Sequence, residues 1–110
     1  MKQYVIDELR PHDYSRLQEY LDRTWGAAQL GGIYWIRLDD GLLNETQIEH
    51  GHCQPFYFAI ELTPDQLACE LLVRTRKTIR CDCIGYATDK QRDWLIRTID
   101  RVFSDLEIKT

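Results

Sequence analysis

The features that mark secreted and membrane proteins are missing from this 110-residue chain. Its first residues, MKQYVIDE, contain a lysine and two acidic residues, so the apolar core of a signal peptide does not form there. No apolar run approaches the roughly 18 residues that a membrane-spanning helix requires. We therefore expect a cytoplasmic protein without a membrane segment, in which cysteines stay reduced.

An excess of basic residues is also missing. The chain has 14 lysines and arginines against 18 acidic residues, which gives a formal net charge of −4. Domains that bind DNA or RNA through their overall charge carry the opposite sign. The composition therefore argues against a nucleic-acid partner, and any such contact would have to be local.

Catalytic motifs of the common kinds are missing as well. The sequence contains no glycine-rich phosphate loop, no G-x-S-x-G elbow and no H-E-x-x-H helix, and Gly31-Gly32 precedes a predicted strand instead of a helix. These absences favour a non-enzymatic binding or protein-interaction module, which could be regulatory, over an enzyme.

What the sequence does have is the composition of an ordinary globular domain. Hydrophobic residues make up 44% of the chain and charged residues 29%, as in folded proteins and unlike disordered ones. The length is close to the commonest size of one domain. We therefore predict a single α+β domain over residues 1–110.

Two amphipathic helices are predicted. Pro11 stands where a first helical turn tolerates proline, and Gly26 marks the end of that helix. The segment Thr88-Asp89-Lys90-Gln91 matches a capping box, which predicts the start of a long terminal helix. Apolar residues three or four positions apart support both helices: Tyr14, Leu17, Leu21 and Trp25 in the first, and Leu95, Ile99, Val102, Phe103 and Leu106 in the second.

Strands are predicted from alternation and from β-branched and aromatic residues. Residues 4–8 and 33–38 form the first two, and Phe56–Leu62 alternates as a half-buried strand should. A turn at residues 63–66 then predicts a hairpin. In that hairpin Ile60 faces Cys69, Phe58 faces Leu71 and Phe56 faces Val73, and a second reversal near Arg76-Lys77 leads to a strand with Ile79, Cys81 and Cys83 inside.

These elements predict a two-layer fold. It has a mostly antiparallel sheet of about five strands, in the chain order β-α-β-β-β-β-α, with two helices packed on one face. Residues 39–54 are polar and irregular, with one short helix that ends near Glu49 or His50.

The strongest chemical candidate is a cluster of histidines and cysteines. Imidazole and thiolate are the preferred ligands of zinc, and four such groups close a tetrahedral site. On a strand, Cys81 and Cys83 share a face, but their spacing differs from the C-x(2–4)-C spacing of common zinc knuckles. The residues proposed for a zinc site are His50, His52, Cys53, Cys81 and Cys83.

Three other interpretations of the cysteines remain open. Cys69, Cys81 and Cys83 are predicted as small core residues, which is how reduced cysteine commonly behaves. A cross-strand disulfide between Cys69 and Cys83 is an alternative. A thiol enzyme centred on Cys53, with a neighbouring histidine as base, is the third.

A basic cluster interrupts the acidic chain. The cluster lies at the tip of the second predicted hairpin and could contact an anion or a partner there. Few aromatic residues lie among its basic residues to stack on bases. The alternative is a solvated hairpin whose charges discourage aggregation at the sheet edge. The cluster consists of Arg74, Arg76, Lys77 and Arg80.

The outer face of the predicted sheet is more apolar than a fully hydrated face needs to be. A homodimer that buries this face is one explanation, and cover by another part of the same chain is the other. The apolar residues predicted there are Tyr57, Ala59, Ala68, Leu72, Ile84 and Tyr86.

Overall fold

The structure, a computed structural model, describes residues 2–109. Over this range the chain forms six β-strands and three α-helices, and the α+β class predicted from the sequence is confirmed. The strands are β1 (Gln3–Ile6), β2 (Ile33–Arg37), β3 (Phe56–Thr63), β4 (Gln66–Glu70), β5 (Leu72–Thr75) and β6 (Gly85–Tyr86), and the helices are α1 (Pro11–Trp25), α2 (Glu45–Glu49) and α3 (Asp89–Asp105).

The long strand β3 is the centre of an antiparallel sheet. It pairs with β2 along one side and with β4 and β5 along the other. The short strands β1 and β6 then add to β4 and β5. The chain order differs from the predicted one because β4 and β5 are separate strands and α2 lies before β3.

The β3–β4 hairpin is confirmed near its turn and wrong beyond it. Ile60 faces Cys69 as predicted, but Phe56 faces Thr75 instead of Val73. Between these two pairs the second strand therefore has two more residues than β3, around Leu71. The Leu71 N–H donates to the Lys2 carbonyl and the Leu71 carbonyl accepts from the Ala87 N–H, so neither group pairs with β3. An insertion of two keeps every side chain on its predicted face, because side chains alternate with period 2.

The predicted third strand through Ile79, Cys81 and Cys83 is wrong. Residues 76–84 form a loop without regular structure, Ile79 is 90% exposed, and pairing with β5 resumes only at β6. Within the loop the Arg80 N–H donates to Thr78 Oγ1 and the Thr78 hydroxyl donates to the Arg80 carbonyl. Such local bonds satisfy backbone groups that a strand would have paired.

Both long helices pack on the same face of the sheet, as predicted. The capping box at Thr88 is formed, with its hydroxyl accepting from the Gln91 N–H. Tyr34 of β2 donates to Asp22 of α1, and Phe58 of β3 stacks on Trp94 of α3 at a ring-centroid distance of 6.3 Å. The core between the layers includes Leu17, Leu21, Ile36, Phe56, Phe58, Ile60, Leu95 and Ile99, each at most 1% exposed.

The irregular segment before β3 is more ordered than its sequence indicates. It holds a 3₁₀ turn at Asp40–Leu42, helix α2 and a second 3₁₀ turn at Gly51–Cys53. Asn44 caps α2 in a capping box with Gln47.

None of the helices in residues 2–109 is both long and apolar enough to cross a membrane.

Candidate metal centre

Three thiols and one imidazole meet at the end of the sheet where β3 begins. Their ligand atoms all lie within 4.8 Å of one another. His50 Nδ1 is 3.0 Å from Cys81 Sγ, and Cys53 Sγ is 4.0 Å from the same sulfur. The four residues of this cluster, called here the metal-ligand cluster, are His50, Cys53, Cys81 and Cys83.

The first two members lie on one tight turn. Helix α2 ends at His50, whose N–H donates to the Thr46 carbonyl, and the Cys53 N–H donates to the His50 carbonyl at 2.9 Å. This bond closes the chain over three residues, so both side chains project from the same side of the turn. The spacing H-x-x-C is that of a zinc knuckle, with histidine in place of its first cysteine.

The other two members lie on a second tight turn. The Ile84 N–H donates to the Cys81 carbonyl at 3.0 Å, which closes residues 81–84 into a turn. A one-residue spacing suits a strand poorly for metal binding, but in a turn both thiols can point toward one centre. The objection raised by the C-x-C spacing therefore applied to a strand that does not form.

Neighbouring elements hold the two turns in place. The Thr75 hydroxyl at the end of β5 donates to the Cys53 carbonyl, and Gln47 of α2 donates to the Cys83 carbonyl at 3.5 Å. Cys53 and Cys83 are each 2% exposed, whereas His50 and Cys81 are half-buried. The cluster is thus shielded by protein on one side and reachable from solvent on the other.

The electrostatics of the cluster separate two of its thiols. Hydrogen bonds from the backbone and side chain of Cys83 lower the pKa of Cys81 to about 7, with smaller contributions from His50 and Cys53. Burial raises the pKa of Cys83 to about 12, and its contacts with Cys81 and Cys53 add to this. Cys81 and Cys83 cannot easily both carry a negative charge this close together unless a cation joins them.

The donor set and the distances fit a metal ion. A tetrahedral zinc site with Zn–S bonds of about 2.3 Å has neighbouring ligand atoms about 3.8 Å apart. The separations in the cluster, from 3.0 to 4.8 Å, bracket that value. Because four protein groups are available, they can fill all four positions of a tetrahedral site.

Two residues considered from the sequence lie outside the cluster. The His52 ring stacks on the His50 ring at a centroid distance of 5.8 Å, so it contacts a cluster member without belonging to the four. Cys69 is fully buried in the core opposite Ile60, and burial raises its pKa to about 12. All four cysteines of the chain are free, so the Cys69–Cys83 disulfide is not formed.

Three of the four predicted basic residues, Arg74, Arg76 and Lys77, line one groove on the outer face of the sheet. Arg74 lies on the outer face of β5 and pairs with Glu70 at 3.0 Å. Arg76 lies over the rings of Trp35 and Tyr57, at 5.1 Å and 5.9 Å from their centroids. Arg80 is exposed on the 76–84 loop.

Sequence reasoning missed two features of the site. The spacing of His50 and Cys53 is itself a knuckle signal, and it could have been recognised. The role of Gln47 had no signal, because its Cys83 contact joins residues 36 positions apart.

No protein-family model, no curated protein and no solved structure matches this chain, so the site is interpreted from its own geometry.

Proposed function

We propose that this protein is a zinc-binding, non-enzymatic module in which the metal is structural. The observation that carries the proposal is the convergence of His50, Cys53, Cys81 and Cys83 within 4.8 Å. Thiolate and imidazole ligands select zinc among the abundant divalent ions by their softness and by tetrahedral geometry.

A structural role follows from the number of ligands. Catalytic zinc sites use three protein ligands and keep one position for water or substrate, whereas structural sites are closed by four. The four members of the metal-ligand cluster would close this site. The thiol-enzyme alternative is weakened by the same geometry, since Cys53 is 2% exposed and a nucleophile must reach its substrate.

The metal would stabilise a segment that has few regular hydrogen bonds. Residues 76–84 lie outside helices and strands, and many of their backbone bonds are local. Zinc would join this loop to the Gly51–Cys53 turn, which precedes β3. A cross-link of this kind restricts both segments and contributes its binding free energy to folding.

The test is metal content and thiol reactivity of protein purified without a metal-affinity tag and without chelator. We expect about one zinc per chain by elemental analysis. Cobalt substituted for zinc should show a tetrahedral spectrum with thiolate charge-transfer bands. The Cys83→Ser variant should lose most of the metal because it removes one of three thiolates.

Two variants serve as matched controls. Cys69→Ala removes a buried thiol outside the cluster, and His52→Ala removes the imidazole that stacks on His50. Both should keep one metal per chain. The proposal would be ruled out if the protein folds without metal and added zinc does not change the number of thiols that react under native conditions. The cysteines would then be core residues.

A further inference from the structure

The outer face of the sheet carries a groove lined with aromatic, aliphatic and basic side chains. We propose that this groove binds single-stranded nucleic acid, through base stacking on Trp35 and Tyr57 and phosphate contacts from the surrounding cations. It has a volume of about 330 Å³. Its lining includes Trp35, Arg74, Arg76, Lys77 and Ile84, and Tyr57 lies beside it, against Trp35 and beneath the Arg76 guanidinium.

The two aromatic rings belong to neighbouring strands and lie on the side of the sheet away from the helices. Trp35 is flanked by buried Tyr34 and Ile36, and Tyr57 by buried Phe56 and Phe58, so alternation places both rings on the opposite face. Their centroids are 6.3 Å apart in an edge-to-face arrangement. Aromatic side chains displayed on an open sheet are a common platform for unstacked bases.

The cations are arranged around these rings. The Arg76 guanidinium lies over both Trp35 and Tyr57, and a guanidinium plane can itself stack on a base. Lys77 and Arg74 line the same groove, Arg74 with its guanidinium paired to Glu70 at 3.0 Å, and none of the described residues that line it is acidic. In a chain with a net charge of −4, this concentration of positive charge favours an anionic ligand.

The same features discriminate between occupants. A second copy of this chain docked through the groove would bring Arg76 and Lys77 of both copies together, which like-charge repulsion opposes. Duplex DNA hides its base faces in the stack, so the half-buried rings of Trp35 and Tyr57 would find no stacking partner there. A single strand offers both unpaired bases and a regular phosphate charge.

The sequence raised two objections to nucleic acid: the net charge of −4, which still allows a local contact, and the few aromatic residues near the basic cluster along the chain. The structure removes the second objection, since Trp35 of β2 and Tyr57 of β3 lie beneath the Arg76 guanidinium. This inference does not depend on the identity of the metal, although Cys81 and Cys83 belong to the loop that carries Lys77.

The experiment is fluorescence anisotropy of a labelled 12-residue oligouridylate with the full chain, titrated at several salt concentrations. We expect binding whose log K falls with log[salt] with a slope of about −1.4, as two phosphates neutralised by Arg76 and Lys77 would give. Arg76→Glu should weaken binding by at least about tenfold, and Trp35→Ala by a similar factor through lost stacking. The control is Arg101→Glu, which makes the same charge change at an exposed position of α3, in the opposite layer. This variant should bind like the wild type.

An abasic oligomer of the same length separates stacking from simple charge attraction. The proposal requires it to bind at least about tenfold more weakly than oligouridylate. Equal binding of the two, equal effects of Arg76→Glu and Arg101→Glu, or no binding at low salt would each overturn it. Circular dichroism of every variant, together with Tyr57→Leu as a second test of stacking, keeps misfolding from being read as lost binding.

Discussion

Two buried glutamines connect the helices to the metal-ligand cluster. Gln47 and Gln91 each occupy the third position of a capping box, where the side chain accepts from the backbone N–H of Asn44 and Thr88 respectively. The Gln91 amide also donates to Gln47 Oε1 at 2.9 Å and to the Leu42 carbonyl at 2.8 Å. Two helix starts are thereby joined by one amide–amide hydrogen bond in the interior.

Replacing Gln91 should therefore have an effect well above that of an ordinary surface change. Gln91→Leu removes one half of a capping box, leaves the buried Leu42 carbonyl without its donor and takes away one of the two donors to Gln47 Oε1. We expect the free energy of unfolding to fall by about 2–4 kcal/mol. Urea unfolding followed by circular dichroism measures it.

The matched control is Gln18→Leu, the same change on the exposed side of α1. It should stay within about 0.5 kcal/mol of the wild type. If the two variants lose equal stability, the buried amide pair does not have the role assigned to it.

Among the elements, the 76–84 loop depends most on contacts outside regular secondary structure. Its turn at residues 81–84 carries two cluster thiols, and the facing turn at Gly51–Cys53 carries a third. By contrast, β3 is hydrogen-bonded on both sides, to β2 and to β4 and β5. Local opening free energies follow such differences.

Removal of the proposed metal should therefore loosen the two turns before the sheet. On treatment with a chelator we expect faster hydrogen exchange at the N–H groups of Cys53 and Ile84, which close the turns. Exchange in the β2–β3 ladder should change little. The measurement is hydrogen exchange by mass spectrometry with and without chelator, with Cys69→Ala as the comparison that retains the metal.

Uniform loss of protection across the sheet would instead show that the metal is needed for the whole fold. Unchanged exchange at both turns would contradict a structural metal at this site.

For the whole molecule, several groups with raised pKa values affect stability in the alkaline range. Burial and a hydrogen bond to Asp100 raise the pKa of Tyr4 to about 12. Burial and a hydrogen bond to Asp22 raise the pKa of Tyr34 even more, and burial raises that of Cys69 to about 12. Each group keeps its proton to a higher pH in the folded chain than in the unfolded chain.

Stability should accordingly be retained up to the unfolded pKa values and fall above them. The unfolded chain loses these protons first, so it binds fewer protons than the folded chain, and the free energy of unfolding decreases with rising pH. For Tyr4 the window runs from its ordinary value of 10.0 to about 12. The stability advantage of the wild type over Tyr4→Phe should shrink across that window.

Urea unfolding of both proteins near pH 8 and near pH 11 tests this. The Tyr86→Phe variant is the control, because it removes the hydroxyl of a tyrosine that is 46% exposed. A constant difference between wild type and Tyr4→Phe would show that the Tyr4–Asp100 bond does not affect ionisation.

The open face of the sheet is the remaining feature at this scale. Both long helices pack on the other side, and the exposed or half-buried outer residues include Val5, Trp35, Tyr57 and Tyr86. The sequence predicted a face more apolar than water alone would favour, with a homodimer as one explanation. The positive groove on this face favours a nucleic-acid ligand there instead, and the dimer stays a prediction for the rest of the face.

Sequence patterns alone determined the parts of this protein that depend on local interactions. The capping box at Thr88, the alternation of β3 and the turn at residues 63–66 each follow from neighbouring residues, and each is present in the structure. Periodicity also assigned both long helices to one layer, because an apolar stripe must be buried against the apolar face of the sheet.

Tertiary structure decided the features that join distant residues. The loop at 76–84 replaced a predicted strand because local hydrogen bonds and the turn at Cys81–Ile84 satisfied its backbone. His50 contacts Cys81, 31 positions later in the chain, and Trp35 of β2 contacts Arg76, which follows β5. Residue spacing along the chain does not report such contacts, since long-range packing alone brings these side chains together.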